Sequence, residues 1–221
     1  SSGTTNAKSK FIPVSNEALE NCHYKASKDL LCMYLNNNEN SEMFLGKSLR
    51  LGGSSQIHEN NNTFFGDLSA ILIENMPMWA EFSSTPSNKT SLMSEWESKL
   101  TAIINETRNE NVTSFAGVPS WMLVLLNRIF TGSGKENLFE LWPNLEVYFH
   151  GGVSFEPYRE QYKKILPNSN FKYYEIYNAS EGFFAIQDLN YSNDLLLMLD
   201  YGLFYEFLPM DTFGTPIPKT I

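Results

Sequence analysis

The first ten residues, SSGTTNAKSK, combine small and hydroxyl-bearing side chains with two lysines. Hydroxyls and free backbone N–H groups suit phosphate oxygens, a glycine allows close backbone approach, and a lysine adds a positive point charge. The segment nearly matches the P-loop pattern, since Lys8 and Ser9 follow Gly3 by five and six residues. The second glycine is absent and the spacing is one residue short, so we reject a P-loop. Taken alone, the segment fits a phosphate-binding loop and a plain polar loop equally well.

A second polar segment, YNASEG at residues 177–182, follows a stretch with the pattern of a buried strand. In α/β sheets, ligands bind at the ends of strands, where small residues leave room. The Tyr177 ring can stack on a purine, and the Glu181 carboxylate can hold a Mg²⁺ ion that bridges phosphates. The alternative is a turn between two strands that contains one acidic residue, and the residue types alone favour this alternative.

A third run of small residues, HGGVS at residues 150–154, also follows a predicted strand. Since all three loops are small and polar, the pattern predicts that they face one crevice at a common edge of the sheet.

The histidines and cysteines do not have the spacing of a zinc site. We predict that His23 lies on a helix surface, that His150 ends a strand without catalysing, and that His58 is a candidate for the wall of an acyl pocket. Cys22 and Cys32 are about 15 Å apart on one predicted helix, too far for a bridge, and free thiols fit a reducing cytoplasm. No Gly-x-Ser-x-Gly elbow is present, which argues against a serine hydrolase.

The composition is that of a packed globular chain. Hydrophobic residues make up 42% of the 221 residues and aromatic residues 14%, which excludes a disordered segment. A net charge of −9 gives little support for binding nucleic acid. No apolar stretch approaches the length of a membrane span, so we expect neither nucleic acid nor membrane as a partner.

The elements that must position the three loops are strands and helices in alternation in the first part of the chain, followed by several strands in the last part. A helix is predicted from Ser15 or Asn16 to about Leu35, and another helix opens at Ser87 or Asn88. A third helix, residues 119–130, is apolar nearly all round and is predicted to lie deep. Strands are predicted at residues 44–51, 112–117, 145–150, 171–177, 182–187, 195–199 and 203–208. The aromatic residues predicted to belong mostly to the core are Trp79, Phe82, Trp121, Trp142 and Phe183.

This order predicts an α/β fold: a mixed, largely parallel sheet flanked by helices, with antiparallel strands near the C-terminus. We interpret residues 1–221 as a single nucleotide-binding domain. A phosphate-binding loop normally follows a buried strand, yet here the loop is the first segment. We therefore expect the chain to be a central fragment of a longer enzyme.

The three loops, in this order, resemble those of adenylate-forming enzymes. These enzymes carry a Ser/Thr/Gly-rich loop ending in lysine, a Gly-Gly loop after a strand, and a Tyr-x-x-(Thr/Ser)-Glu loop. The chain is more similar still to the auxin-responsive acyl acid amido synthetase family, as a bacterial-type homologue. Residues 1–5, residues 177–181 and the long segment MLDYGLFYEFLP at residues 198–209 carry this resemblance. The last segment distinguishes the family from ordinary acyl-CoA ligases, and the resemblance spans almost the whole chain.

The resemblance implies roles for individual residues. Ser2, Thr4 and Thr5 would contact phosphates, and Lys10 aligns with the terminal lysine of the loop. Gly151 and Gly152 would border the adenine of ATP, Tyr177 would stack on it, and Glu181 would serve Mg²⁺. We thus expect Lys10 and Glu181 to act in catalysis, within a nucleotide site made of Ser1, Ser2, Gly3, Thr4, Thr5, Gly151, Gly152, Val153, Tyr177, Asn178, Ala179 and Ser180.

The implied activity is ATP-dependent adenylation of a carboxylic acid, followed by conjugation to an amine, which we expect to be an amino acid. The family's Tyr-x-x-Gly-Asp-like motif, whose Asp holds the ribose, is absent, as is the C-terminal domain that supplies a catalytic lysine. We therefore expect the rest of the enzyme to be a partner of this fragment. Two alternatives stay open at this point, an acyl-CoA ligase of the same superfamily and a nucleotide-binding module without catalysis.

Overall fold

The computed structural model describes residues 11–53, 58–60, 63–131 and 133–214. Within these residues, one sheet contains seven strands and a separate hairpin contains two. The strands of the large sheet are β1 (Lys47–Arg50), β4 (Ser84–Thr85), β5 (Val112–Gly117), β6 (Val147–Gly151), β7 (Lys172–Ala179), β8 (Gly182–Ile186) and β9 (Leu196–Leu197). The hairpin pairs β2 (His58–Asn60) with β3 (Thr63–Phe65).

The large sheet has the order β4-β1-β5-β6-β7-β8-β9. Its first five strands in this order run parallel, and β8 and β9 add on antiparallel. Parallel neighbours need a long crossover, which the helices provide, whereas antiparallel neighbours can be joined by a tight turn. The predicted α/β class, with antiparallel strands near the C-terminus, is confirmed.

Helices flank the sheet on both faces. They are α1 (Asn16–Ala18), α2 (Lys25–Asn37), α3 (Leu68–Glu74), α4 (Met78–Phe82), α5 (Asn88–Ser91), α6 (Trp96–Thr107), α7 (Pro119–Thr131) and α8 (Arg159–Ile165). The helix predicted to open at Ser87 or Asn88 is in fact two helices. Ser87 caps α5 and Glu95 caps α6, because each side chain accepts a hydrogen bond from a backbone N–H of the first turn.

The first helix starts where the sequence predicts, with Ser15 Oγ accepting from Ala18 N at 3.2 Å. A π-helical turn, Leu19–Tyr24, joins α1 to α2. Within this turn the residues depart from the regular helical spacing, so that four of the six, including His23, are buried. The prediction that His23 lies on the surface is wrong for this reason, since only 2% of it is exposed.

The two faces of the sheet bury separate cores, because successive side chains of a strand point to opposite sides. On β6, Tyr148 belongs to the core under α6, α7 and α8. Its neighbours Val147 and Phe149 belong to the core under α2. The loops at residues 150–154 and 177–182 thus extend from strands that are held on both faces.

Several aromatic side chains lie elsewhere than predicted. Trp142 and Phe183 are buried, but Trp79, Phe82 and Trp121 are 50%, 75% and 56% exposed. Trp79 and Phe82 belong to the five-residue helix α4. Trp121 lies on α7, which buries one face against the sheet and presents Trp121 and Val124 on the other. The prediction that α7 lies deep therefore holds for one side of the helix.

The last stretch is less regular than predicted. Only Leu196–Leu197 forms a strand between residues 195 and 199, and residues 203–208 form none. Gly202, with a φ of +71°, turns the chain just before this segment, and Phe204 is 88% exposed, so the apolar residues do not form one buried face. No helix in the described ranges has the length and apolar character needed to span a bilayer.

Candidate nucleotide-binding site

The candidate site lies at the carboxyl ends of β6 and β7. These strands are adjacent and parallel, with Gly151 opposite Ile176, so Gly151 and Gly152 lie beside Tyr177. The structure thus brings together two of the three predicted loops, although Gly152 and Tyr177 are 25 residues apart in the chain. The first loop, with Ser1, Ser2, Gly3, Thr4, Thr5 and Lys10, lies outside the described residues, and its role stays a prediction.

Gly151 is required by close packing of the two strands. A Cβ at this position would lie 2.3 Å from the carbonyl oxygen of Ile176 and 2.9 Å from its Cγ1. The next residue, Gly152, has a φ of +83°, which favours glycine and turns the chain sharply out of the strand. Val153 follows and is 42% exposed. Small residues here leave the edge of the sheet open.

An aromatic cluster anchors the start of this loop. The His150 and Phe155 rings stack with centroids 4.3 Å apart, and both residues are buried. Burial, together with the nearby Arg159 guanidinium, lowers the pKa of His150 to about 3. His150 therefore lies within β6 as a neutral packing residue, and the expectation that it does not catalyse stays a prediction.

The third loop is the turn of a β-hairpin. Tyr177, Asn178 and Ala179 are the last residues of β7, Ser180 and Glu181 form the turn, and Gly182 begins β8. Among these, Asn178, Ala179 and Ser180 are half-buried. A Cβ on Gly182 would lie 2.9 Å from the Leu203 side chain, so the segment after β9 packs against this hairpin.

Two side chains of the hairpin are available to a ligand. Tyr177 is 56% exposed, and Glu181 is exposed at the turn. Within the described part of the chain, no hydrogen bond or ion pair engages the Tyr177 hydroxyl or the Glu181 carboxylate. The exposed ring of Tyr177 and the exposed carboxylate of Glu181 fit the two tasks predicted for them, stacking on a purine and holding Mg²⁺.

The carboxyl end of β1 lies at the same edge of the sheet and is fixed by a buried lysine. Lys99 Nζ donates to the carbonyl oxygens of Gly52 and Gly53 at 2.9 and 3.0 Å. Ser69 Oγ accepts from the Gly53 N–H at 2.8 Å. Burial lowers the pKa of Lys99, which is 2% exposed. His58 follows Gly53 by a few residues in the sequence and belongs to β2. Its assignment to the wall of an acyl pocket stays a prediction.

Sequence reasoning missed Phe184, which packs on Tyr177. Their ring centroids are 5.0 Å apart. Tyr177 pairs with Ala185 and Asn178 with Phe183, so Phe184 is an extra residue in a β-bulge. Residue types do not reveal a bulge of this kind, because FFAI reads as an ordinary strand.

The family model described as the GH3 family N-terminal domain matches residues 1–171. The chain belongs to the GH3 family. This match covers more than half of the chain and includes the first loop and the Gly-Gly loop. It confirms the resemblance to acyl acid amido synthetases that the three loops carry. Among curated proteins, none matches this chain.

Two solved structures show the same fold. One, a GH3.15 acyl acid amido synthetase, has a TM-score of 0.64 and 12% identity over 89% of this chain and 44% of that chain. The other, AtGH3.15 acyl acid amido synthetase in complex with 2,4-DB, has a TM-score of 0.74 and 15% identity over 100% of this chain and 47% of that chain. The GH3 chain described here spans less than half the length of these two proteins.

The residues present fit ATP and Mg²⁺ at the edge of β6 and β7. Gly152 is exposed at the end of β6, Tyr177 offers a ring face, and Glu181 offers a carboxylate. Within the described ranges no group of three His, Cys, Asp or Glu side chains is placed to enclose a metal ion. Mg²⁺ is commonly held by one or two carboxylates together with substrate phosphates, which a single glutamate at the turn can satisfy.

Proposed function

We propose that the full-length protein containing this chain is an ATP-dependent ligase that adenylates a carboxylic acid and transfers the acyl group to an amine, such as that of an amino acid. The observation that carries this proposal is the placement of the Gly151–Gly152 loop beside the Tyr177–Glu181 hairpin in a chain of the GH3 family. The neighbours of the same fold, described as acyl acid amido synthetases, support the reaction class.

In the first step a carboxylate oxygen of the acid attacks the α-phosphorus of ATP. The bond to the β-phosphate breaks, and pyrophosphate leaves with its electron pair. Tyr177 holds the adenine by stacking, and Gly151 and Gly152 border the base. Ser2, Thr4, Thr5 and Lys10 bind the phosphate oxygens. These residues contribute position and charge complementarity, which are the main sources of catalysis in reactions at phosphorus.

Glu181 would hold a Mg²⁺ ion. Mg²⁺, when bound there, neutralises negative charge on the phosphate oxygens. In the second step the amine nitrogen attacks the acyl carbon, AMP leaves, and the nitrogen loses a proton, so that an amide forms. The C-terminal domain of the full-length enzyme completes the site for this step.

The test is ATP–pyrophosphate exchange in the full-length protein with a panel of carboxylic acids. We expect exchange that depends on an added acid, and a decrease of about tenfold or more in the Glu181→Gln variant, because that change removes the carboxylate charge that binds the metal. Glu136→Gln, which alters an exposed carboxylate on a surface loop, serves as the matched control and should retain the wild-type rate.

The outcomes separate the alternatives. A folded protein without exchange for any acid would contradict the proposal and favour a nucleotide-binding module without catalysis. If exchange occurs, mass spectrometry of the products after adding amino acids or coenzyme A distinguishes an amide from a thioester. Full exchange in Glu181→Gln would show that Glu181 does not bind the metal, and it would not contradict the ligase reaction.

A further inference from the structure

The β-bulge between β7 and β8 places one aromatic ring against another beside the site. In the register of this pair, Tyr177 lies opposite Ala185 and Asn178 lies opposite Phe183, which leaves Phe184 as the inserted residue. A bulge bends its strand and redirects side chains, and bulges are frequent next to active sites. Here the redirected side chain is Phe184, whose ring meets Tyr177.

The contact between the two rings is close. The centroids are 5.0 Å apart with an interplanar angle of 44°, within the range of favourable aromatic pairs. Phe184 is half-buried, whereas Tyr177 is 56% exposed. Within the residues that the structure describes, the Tyr177 hydroxyl makes no hydrogen bond. The orientation of the Tyr177 ring therefore depends on packing, and Phe184 provides that packing.

The Phe184 ring also packs against Tyr205, which in turn stacks on Phe207. Tyr205 approaches Phe184 with centroids 6.4 Å apart, and it stacks on Phe207 at 6.3 Å and 11°. The Tyr205 hydroxyl donates to the carbonyl oxygen of Met198 at 3.0 Å, which fixes the ring. Tyr205 and Phe207 belong to the segment at residues 198–209, which carries part of the resemblance to the family.

Helix α2 secures the same segment. The Tyr201 hydroxyl donates to Asp29 Oδ2 at 2.9 Å. Lys25 pairs with Asp200 and lies 5.2 Å from the centroid of the Tyr201 ring. A continuous set of contacts thus runs from α2 through residues 200–207 and Phe184 to the ring at the site.

We propose that Phe184 is a positioning residue, which fixes the ring of Tyr177 in the orientation that stacks on the adenine of ATP. The segment around Tyr205 supports Phe184 in this role. The inference rests on the proposed function, since it assumes that Tyr177 binds the base. It adds a residue that does not touch the nucleotide and acts through one that does.

The experiment compares two ligands by calorimetry on the full-length protein. ATP with Mg²⁺ probes the base and phosphate contacts together, whereas pyrophosphate with Mg²⁺ probes the phosphate contacts alone. We expect Phe184→Leu, which keeps an apolar side chain but removes the ring, to weaken ATP binding by about three- to tenfold. Pyrophosphate affinity should stay within about twofold, because the phosphate loop is untouched. Phe184→Tyr keeps the ring and should bind ATP like the wild type.

Two further variants complete the design. Phe204→Leu changes an 88% exposed ring of the same segment and should leave both affinities unchanged. Tyr177→Leu should weaken ATP binding at least as much as Phe184→Leu. Thermal unfolding of each variant shows whether it is folded.

The failures are distinguishable. Unchanged ATP affinity in Phe184→Leu, together with weaker ATP binding in Tyr177→Leu, overturns the positioning role and leaves the proposed function standing. Equal weakening of ATP and pyrophosphate in Phe184→Leu also overturns it, since a general structural defect would have that effect. If the wild-type protein binds neither ligand, the proposed function fails and the inference fails with it.

Discussion

At the scale of single residues, His150 is an imidazole enclosed by aromatic rings at the entrance to the Gly-Gly loop. It is 3% exposed, its Nδ1 atom has no hydrogen-bond partner among the described residues, and it stacks on Phe155. Burial lowers its pKa from 6.5 to about 3. In the unfolded chain the imidazole takes up a proton near its ordinary pKa, whereas in the folded chain it stays neutral until the pH is near 3.

We predict that His150 makes the fold less stable as the pH falls below about 6.5, because the unfolded state then binds one more proton than the folded state. In His150→Phe this dependence should disappear. Between pH 6.5 and 5, the slope of the free energy of unfolding against pH should be smaller by up to about 1.4 kcal/mol per pH unit than in the wild type. Urea unfolding at a series of pH values measures this, and parallel slopes for the two proteins would contradict it.

At the scale of elements, the ends of β6 and β7 approach so closely that only glycine fits at position 151. The carbonyl oxygen of Ile176 occupies the space of a Cβ, and Ile176 directly precedes Tyr177. The position of the Tyr177 backbone therefore depends on the close pairing of β6 and β7 at Gly151.

We predict that Gly151→Ala forces β6 and β7 apart, costs about 1–3 kcal/mol of stability, and weakens ATP binding by displacing Tyr177. Gly134→Ala is the matched control. Gly134 has a φ of +67°, and no atom of the described residues lies within 4 Å of a Cβ there, so alanine should cost about 1 kcal/mol without any effect on ATP. Denaturant unfolding and calorimetry measure both effects, and equal behaviour of the two variants would disprove the close-packing argument.

At the scale of the whole molecule, one aromatic residue of β5 contacts rings from neighbouring segments of the same core. Phe115 on β5 is fully buried, and its ring lies 6.0 to 6.2 Å from the rings of Trp142, Tyr148 and Phe171. These partners belong to the loop before β6, to β6 itself and to the loop before β7. The core under α6, α7 and α8 therefore depends on Phe115 as a common contact.

We predict that Phe115→Ala destabilises the fold by about 3–5 kcal/mol, because it removes a buried ring and leaves a cavity. Phe82→Ala, at a position that is 75% exposed, should change stability by no more than about 0.5 kcal/mol. Urea unfolding of both variants measures the difference, and a loss below about 1 kcal/mol for Phe115→Ala would show that the core closes around the gap.

The sequence by itself determined the class of fold and the order of the loops. Alternating apolar runs and helical stripes are local properties, and they predicted the strands β5 to β8 and the helix start at Ser15. Small residues after two predicted strands predicted a ligand site there, because the ends of parallel strands meet at one edge. The resemblance carried by these loops then led to the family that the match over residues 1–171 confirms.

The tertiary structure alone decided which side chains are enclosed and which face the site. A π-helical turn buried His23, and the absence of a covering layer left Trp79 and Trp121 exposed among the described residues. The bulge that turns Phe184 onto Tyr177 depends on how β8 pairs with β7. Such features arise from contacts between residues far apart in the chain, and no local pattern of residue types records them.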